Sequence, residues 1–264
     1  MNQPPTAIRI SAVVITFNEQ DNIARCIESL HGIADEILVV DSFSTDETEA
    51  ICKSLNVRFL KNRFEGHIEQ KNFAMTAAAF DHVLSLDADE MLSADLRQSV
   101  LEVKGRWNHD AYSMNRLNNY CGTWIRHGGW YPDRKIRLWD RRKGKWDGEN
   151  PHDRVIMTKG ATTGRISADI LHYSYKSYSD HLIQLEKFST IAATEAFKKK
   201  RKVSFPIHVI FYPWLRFIQT YFFRLGFLDG TAGFTISVTD AFYRFSKYTK
   251  LLMLYRKERA AENQ

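Results

Sequence analysis

A chain of 264 residues, 44% hydrophobic and 26% charged, has the composition of a globular protein with one large domain or one domain plus an appendage. Three scattered cysteines, Cys26, Cys52 and Cys121, with no CxxC pair, exclude a disulfide framework and a zinc knuckle and indicate reduced thiols in a cytosolic protein. The net charge of +6 is uneven: 13 Lys/Arg against 4 Asp/Glu from Lys198 onward make that part +9 and leave −3 for residues 1–197, which argues against a nucleic-acid partner.

The opening residues MNQPPTAIRI lack a basic stretch followed by an apolar core, so no signal peptide is expected. Residues 10–17 (ISAVVITF) read as a strand buried on both faces, after which Asn18 is placed to cap a helix running to about His31. EILVVD (36–41) is a second such strand, followed by Ser44 and Glu47 in the spacing of a capping box that opens a helix to about Leu55. VRFL (57–60) is a third strand, 68–79 a helix, and HVLSL (82–86) a fourth strand. Unbroken apolar strands alternating with helices predict an α/β fold whose mostly parallel sheet is covered on both faces. From 105 to 175 the texture turns aromatic and glycine-rich, which predicts antiparallel additions and long loops. Helical patterning resumes near Tyr178.

Ligands of such sheets bind beyond the carboxyl ends of the strands. Polar residues gather there: Thr16, Asn18 and Glu19 after the first strand, Asp41, Ser42 and Ser44 after the second, and Asp87, Ala88, Asp89 and Glu90 after the fourth. Asp87 and Asp89, one residue apart, point the same way if the segment is extended, and two carboxylates on one side attract a hard divalent cation such as Mg²⁺ or Mn²⁺. No Lys or Arg follows the acidic cluster, so a partner outside the chain is expected to neutralise it. Absence of GxGxxG and of GxxxxGK[ST] argues against a nicotinamide or flavin enzyme and a P-loop NTPase. Lys71 is either a cation near the rim or an ordinary surface lysine.

The motifs VVITFNE (13–19), VVDSFSTDET (39–48), QKNFAM (70–75) and LSLDADE (84–90), in this order, resemble the family 2 glycosyltransferases over residues 8 to about 175. The resemblance implies the GT-A fold and inverting transfer from a nucleotide sugar. It implies that Glu19 and Asp41, among Thr16, Asn18, Ser44, Lys71 and Ala88, bind a UDP-sugar donor, with Asp87 near the ribose or sugar and Asp89 on the metal bridging the diphosphate. His172, in LHYSY, resembles a further metal ligand of GT-A enzymes. Inversion needs a base, and WDGENPHDRV (146–155) supplies Asp147, Glu149 and Asp153. RKIRLWDRRKGKWDGENPHDRV resembles the subgroup that glucosylates the heptose inner core of lipopolysaccharide, whose members carry His-Glu where this chain has His152-Asp153. Asp153 is therefore the chosen base and Glu149 its alternative; Asp153 can also simply pair with Arg154 or Arg134.

The expected division is a catalytic domain over 1–177, with a donor half (8–100) and an acceptor half (105–175), and a helical region over 178–264. That last region joins KKKRK (198–202) to apolar, aromatic stretches broken by Pro206, Pro213 and Arg216, too short for the roughly 18 residues of a membrane span. It suits helices lying on the cytoplasmic face of the inner membrane, where a lipid-linked saccharide acceptor is met, or else a cap on the core or a dimer interface. Competing readings are transfer to a polyprenyl phosphate or capsule precursor, and a non-enzymatic basic binding module.

Overall fold

A computed structural model describes residues 7–149 and 152–262. The four apolar runs fold as β1 (Ile10–Thr16), β2 (Glu36–Asp41), β3 (Arg58–Lys61) and β4 (His82–Asp87). β1 lies between β2 and β4, all parallel, with Ile15 level with Val40 and Asp87, and β3 extends the parallel set beyond β2. One face packs Ile10, Ala12, Val14, Leu84 and Leu86 on Ile23, Cys26, Ile27 and Leu30 of α1 (Ile23–Leu30). The other packs Val13, Leu38, Val40 and Val83 on Ala74 and Met75 of α3 (His67–Ala77). A strand covered on both sides has no wet face, so its sequence does not alternate.

The helix starts differ from the sequence reading. Asn18 does not cap α1, which begins at Ile23; it sits at φ +53° and its Oδ1 accepts the Thr45 N–H at 2.8 Å. Ser44 and Glu47 form no capping box either. α2 begins at Thr48 (Thr48–Ser54), whose N–H and hydroxyl both go to Asp46, while Ser44 Oγ accepts the Asn18 N–H at 2.8 Å. The short polar side chains expected to cap their own helices are spent on joining the two loops.

After β4 come β5 (Glu90–Leu92), α4 (Ala94–Gly105), β6 (Ala111–Tyr120), β7 (Thr123–Ile125), β8 (Asp133–Asp140), a ribbon of β9 (Gly144–Glu149) and β10 (His152–Met157), and β11 (Thr163–Tyr175). The strand order is β3-β2-β1-β4-β8-β6-β11-β5, with β7 on β6. β8 runs antiparallel to β4, and β11 antiparallel to β5 with His172 opposite Glu90. The parallel half thus carries antiparallel additions.

The chain forms two compact units, one of residues 7–117 with Asp133–His172 and the other of Asn118–Pro132 with residues 173–262. In the second, α5 (Tyr178–Lys198) opens on a capping box between Ser177 and Asp180. It is followed by π-turns over Phe205–Phe211 and Gln219–Phe223 that flank α6 (Tyr212–Ile218), and by α7 (Gly230–Glu262). Its small core sets Tyr120, Ile125 and Ile236 against Trp130 and Tyr175, with Tyr120 Oη 3.0 Å from His181 Nδ1. Asp229 of the GFLDG stretch accepts the N–H groups of Arg126 and His127 and lies 2.8 Å from His127 Nδ1, which ties that loop down. Among the described residues, no helix is long and apolar enough to cross a membrane.

α7 meets the preceding turn backbone to backbone: a Cβ at Gly233 would lie 1.9 Å from the Gly226 carbonyl oxygen. Gly233→Ala is expected to destabilise the protein by about 1–3 kcal/mol through overpacking. Thermal unfolding checks it, and an unchanged midpoint would mean the two segments separate without cost.

Candidate functional site

The acidic end of β4 is not extended. Ala88 and Asp89 form a turn between β4 and β5, so the extended geometry behind the spacing argument is absent, and the Asp87 and Asp89 carboxylates meet different partners. The expectation of uncompensated charge is also corrected, because cations distant in sequence reach the cluster. Lys71 Nζ of α3 lies 3.0 Å from Asp87 and 2.7 Å from Asp153 on β10. Arg137 of β8 lies 2.7 Å from Glu90 and 3.3 Å from Asp87, and Arg116 of β6 lies 3.5 Å from Glu90 and 2.7 Å from Asp133. The Trp146 ring lies 4.4 Å from Lys71 Nζ, within cation–π range. Glu90 has no exposed surface, and a buried carboxylate persists only when paired and hydrogen-bonded; it also accepts the Asp87 N–H at 3.0 Å.

These neighbours set the ionisation. Burial raises the Asp87 carboxyl pKa, but Lys71 and Arg137 together hold it far below the usual carboxylate range. Burial lowers that of Arg137, and Glu90 and Asp87 more than offset it, so the guanidinium stays charged. Both groups are locked in their ionic forms.

Asp89 meets a different partner. Its Oδ2 lies 3.1 Å from His172 Nε2, brought there by the β11–β5 register. Burial lowers the His172 pKa, yet the adjacent Asp89 charge raises it overall. An oxygen and an imidazole nitrogen this close could turn to one divalent cation, the carboxylate being the hard ligand that Mg²⁺ and Mn²⁺ favour and the imidazole the better ligand for Mn²⁺ of the two. Among the described residues no group of three or more His, Cys, Asp or Glu forms a complete cage, so a cation here needs ligands from its substrate and water.

The nucleoside-side candidates lie on the neighbouring strand ends, where Thr16 is level with Asp41. The Thr16 hydroxyl is buried without a hydrogen-bond partner among the described residues, an unmet donor and acceptor at the rim. Asp41 is 0% exposed, with its carboxylate receiving both the N–H and the hydroxyl of Ser44, so it presently holds the turn after β2 and a ligand reaches it only if that turn opens. Glu19 accepts from the Asn22 amide, and its N–H goes to Thr48. Ala88 packs its methyl into the core beneath the rim.

A cleft of about 520 Å³ is lined by Lys71, Asp87, Arg116, Arg137, Trp146 and Asp153 among others. Sequence reading missed Arg116, Arg137 and Trp146, although a charge inside the apolar strand IRLW was a visible signal. It also missed Phe17 and Phe43, whose rings stand 56% and 55% exposed directly after β1 and β2. Trp130, half-buried, packs against Tyr120, Tyr175 and His181. The Glu149 side chain lies outside the described residues.

Residues 11–161 match the glycosyl transferase family 2. An uncharacterized glycosyltransferase of Rickettsia typhi is 32% identical over 262 residues, covering 95% of this chain and 89% of its own length. The lipopolysaccharide core biosynthesis glycosyltransferase LpsC of Rhizobium meliloti is 28% identical over 253 residues, covering 92% and 91%. The mannosyltransferase PcManGT of Pyrobaculum calidifontis, solved in complex with GDP-Man and Mn²⁺, superposes with a TM-score of 0.54 over 94% of this chain and 88% of that one, at 14% identity, a likeness of fold.

Proposed function

Because the chain belongs to glycosyl transferase family 2, we propose that it moves a hexose, glucose in the favoured reading, from a UDP-sugar to a sugar hydroxyl of the lipopolysaccharide inner core. Its α/β architecture is the GT-A fold. The acceptor class draws support from the relative named for lipopolysaccharide core biosynthesis, and the donor from the motif resemblance. The observation that carries the reading is the hydrogen-bonded row Asp153–Lys71–Asp87, two residues from the Asp89–His172 pair, in one cleft-bearing unit.

Asp89 and His172 would hold the divalent cation, Mg²⁺ or Mn²⁺, which when bound offsets the negative charge of the leaving diphosphate. Thr16, Asn18, Glu19 and Ser44 would take the nucleoside, joined by Asp41 once the turn after β2 opens, with the exposed ring of Phe17 offered to the base; Lys71, Asp87 and the backbone at Ala88 would lie along the ribose and diphosphate. Asp153 accepts the acceptor hydroxyl's proton as its oxygen bonds to the anomeric carbon from the face opposite the diphosphate. The carbon–diphosphate bond breaks, UDP departs with the electron pair, and configuration inverts. Lys71, donating to both Asp87 and Asp153, fixes the spacing between the carboxylate on the donor side and the base. The reaction belongs at the cytoplasmic face of the inner membrane, where a lipid-linked acceptor is presented.

A screen of nucleotide sugars with and without Mn²⁺ for thermal stabilisation tests the reading. UDP-glucose with Mn²⁺ is expected to stabilise the protein, and EDTA to remove the effect. Stabilisation by a GDP-sugar alone would overturn the donor. His172→Ala and Asp89→Ala are each expected to cost about 10-fold or more of the Mn²⁺-dependent part of donor affinity. Equal affinity in His172→Ala, by calorimetry, would remove that residue from the metal site.

A further inference from the structure

The second unit carries apolar surface that its own core does not need. Of 26 large apolar side chains exposed among the described residues, 17 fall between positions 205 and 253. Phe223 is 80% exposed, Trp214 58% and Leu228 56%. Part of this surface is continuous: Phe217 touches Phe222 and Phe234, and Tyr221 touches Phe222, Phe227 and Phe234 through ring contacts. Phe222, Phe227 and Phe234 all reach solvent. Proteins that remain free in water seldom leave connected apolar patches of this kind, so a covering partner is implied.

Charge identifies the partner. The run Lys199, Lys200, Arg201, Lys202 is exposed, ends three residues before Phe205, and forms no salt bridge among the described residues, Glu195 one turn earlier attracting Lys199 alone. With +9 over residues 198–264, a second copy would bring like charge against like, whereas an anionic bilayer offers both a negative surface and an apolar interior. Crossing is excluded for the described helices, so the segment must lie in the interface.

We propose that the surface formed by the segment from Phe205 to Leu228, together with the exposed side chains of α7, docks on anionic phospholipid, Phe222, Phe223 and Leu228 entering the acyl boundary while Lys199–Lys202 meet the headgroups. The proposal builds on the sugar-transfer reading, because docking brings the protein to a lipid-linked acceptor, but it stands or falls on a separate measurement.

That measurement is flotation of the full chain with vesicles of phosphatidylcholine and phosphatidylglycerol at 3:1, compared with pure phosphatidylcholine. The protein is expected to float with the anionic vesicles and to be weakened by salt. Replacing Lys199, Lys200, Arg201 and Lys202 together by Gln is expected to reduce binding by about 10²-fold or more, at about fivefold per cation. Phe222→Glu with Phe223→Glu is expected to abolish flotation. Both changes are at exposed positions, and a retained UDP–Mn²⁺ thermal shift certifies folding. Failure to float, equal binding to neutral vesicles, or a wild-type dimer that Phe223→Glu dissolves would each overturn the proposal. Donor-dependent stabilisation needs no vesicle, so its loss would count against sugar transfer and its persistence beside failed flotation against docking alone.

Discussion

Asp153→Asn is expected to lower turnover by about 10²- to 10⁴-fold while UDP-sugar binding in Mn²⁺ stays near normal, because the substitution removes a proton acceptor and preserves shape. The contact with Lys71 at 2.7 Å makes the control essential. A purely structural Asp153 would report through a lower unfolding midpoint and weaker donor binding, as Lys71 lost one of its two carboxylates. A base reports through kcat alone. Asp153→Glu, the residue carried by the resembling subgroup, is expected to keep measurable turnover because the carboxylate survives with one added methylene. Single-turnover rates and calorimetric donor titrations on the three proteins separate the cases, and normal kcat in Asp153→Asn would refute the role.

Arg137→Met is expected to be the most destabilising single change near the site, about 3–5 kcal/mol, because it leaves fully buried Glu90 and neighbouring Asp87 without their shared guanidinium. The pH dependence has a definite sign. In the native protein burial raises the Asp87 pKa, but Lys71 and Arg137 win and hold it far below the unfolded value of about 3.9. Its stabilising contribution is therefore complete above that value and is lost as pH falls through the lower native one. Without Arg137 the Asp87 carboxyl loses one of the two cations that hold its pKa down, so the variant's deficit is expected to shrink in acid and widen toward neutrality. Urea unfolding from pH 3 to 8 checks this. Adding Glu90→Gln to Arg137→Met should recover part of the loss, since the pair are direct partners and their effects are not additive. A constant deficit across pH would mean the loss is packing alone.

β1 to β4 were legible within a residue or two because burial on both faces demands apolar side chains at every position, a local signature. The rim positions were legible too, since a parallel sheet places the residues after each strand at one edge. The helix starts were not. Asn18 and Ser44 obey capping rules locally, but bonding to each other's loop satisfied both, and nothing in either segment's own sequence reveals that competition.

The acidic cluster makes the same distinction more sharply. Sequence alone placed Asp87, Asp89 and Glu90 at the carboxyl end of a buried strand, because polypeptide geometry and hydrophobicity act over a few residues. Which cation each would meet was decided only by the tertiary fold. Lys71 and Arg137, 16 and 50 residues from Asp87, neutralise it, and His172, 83 residues from Asp89, is aligned by the β11–β5 register. Coulomb attraction depends on separation in space, and chain spacing does not encode that separation until the sheet has formed.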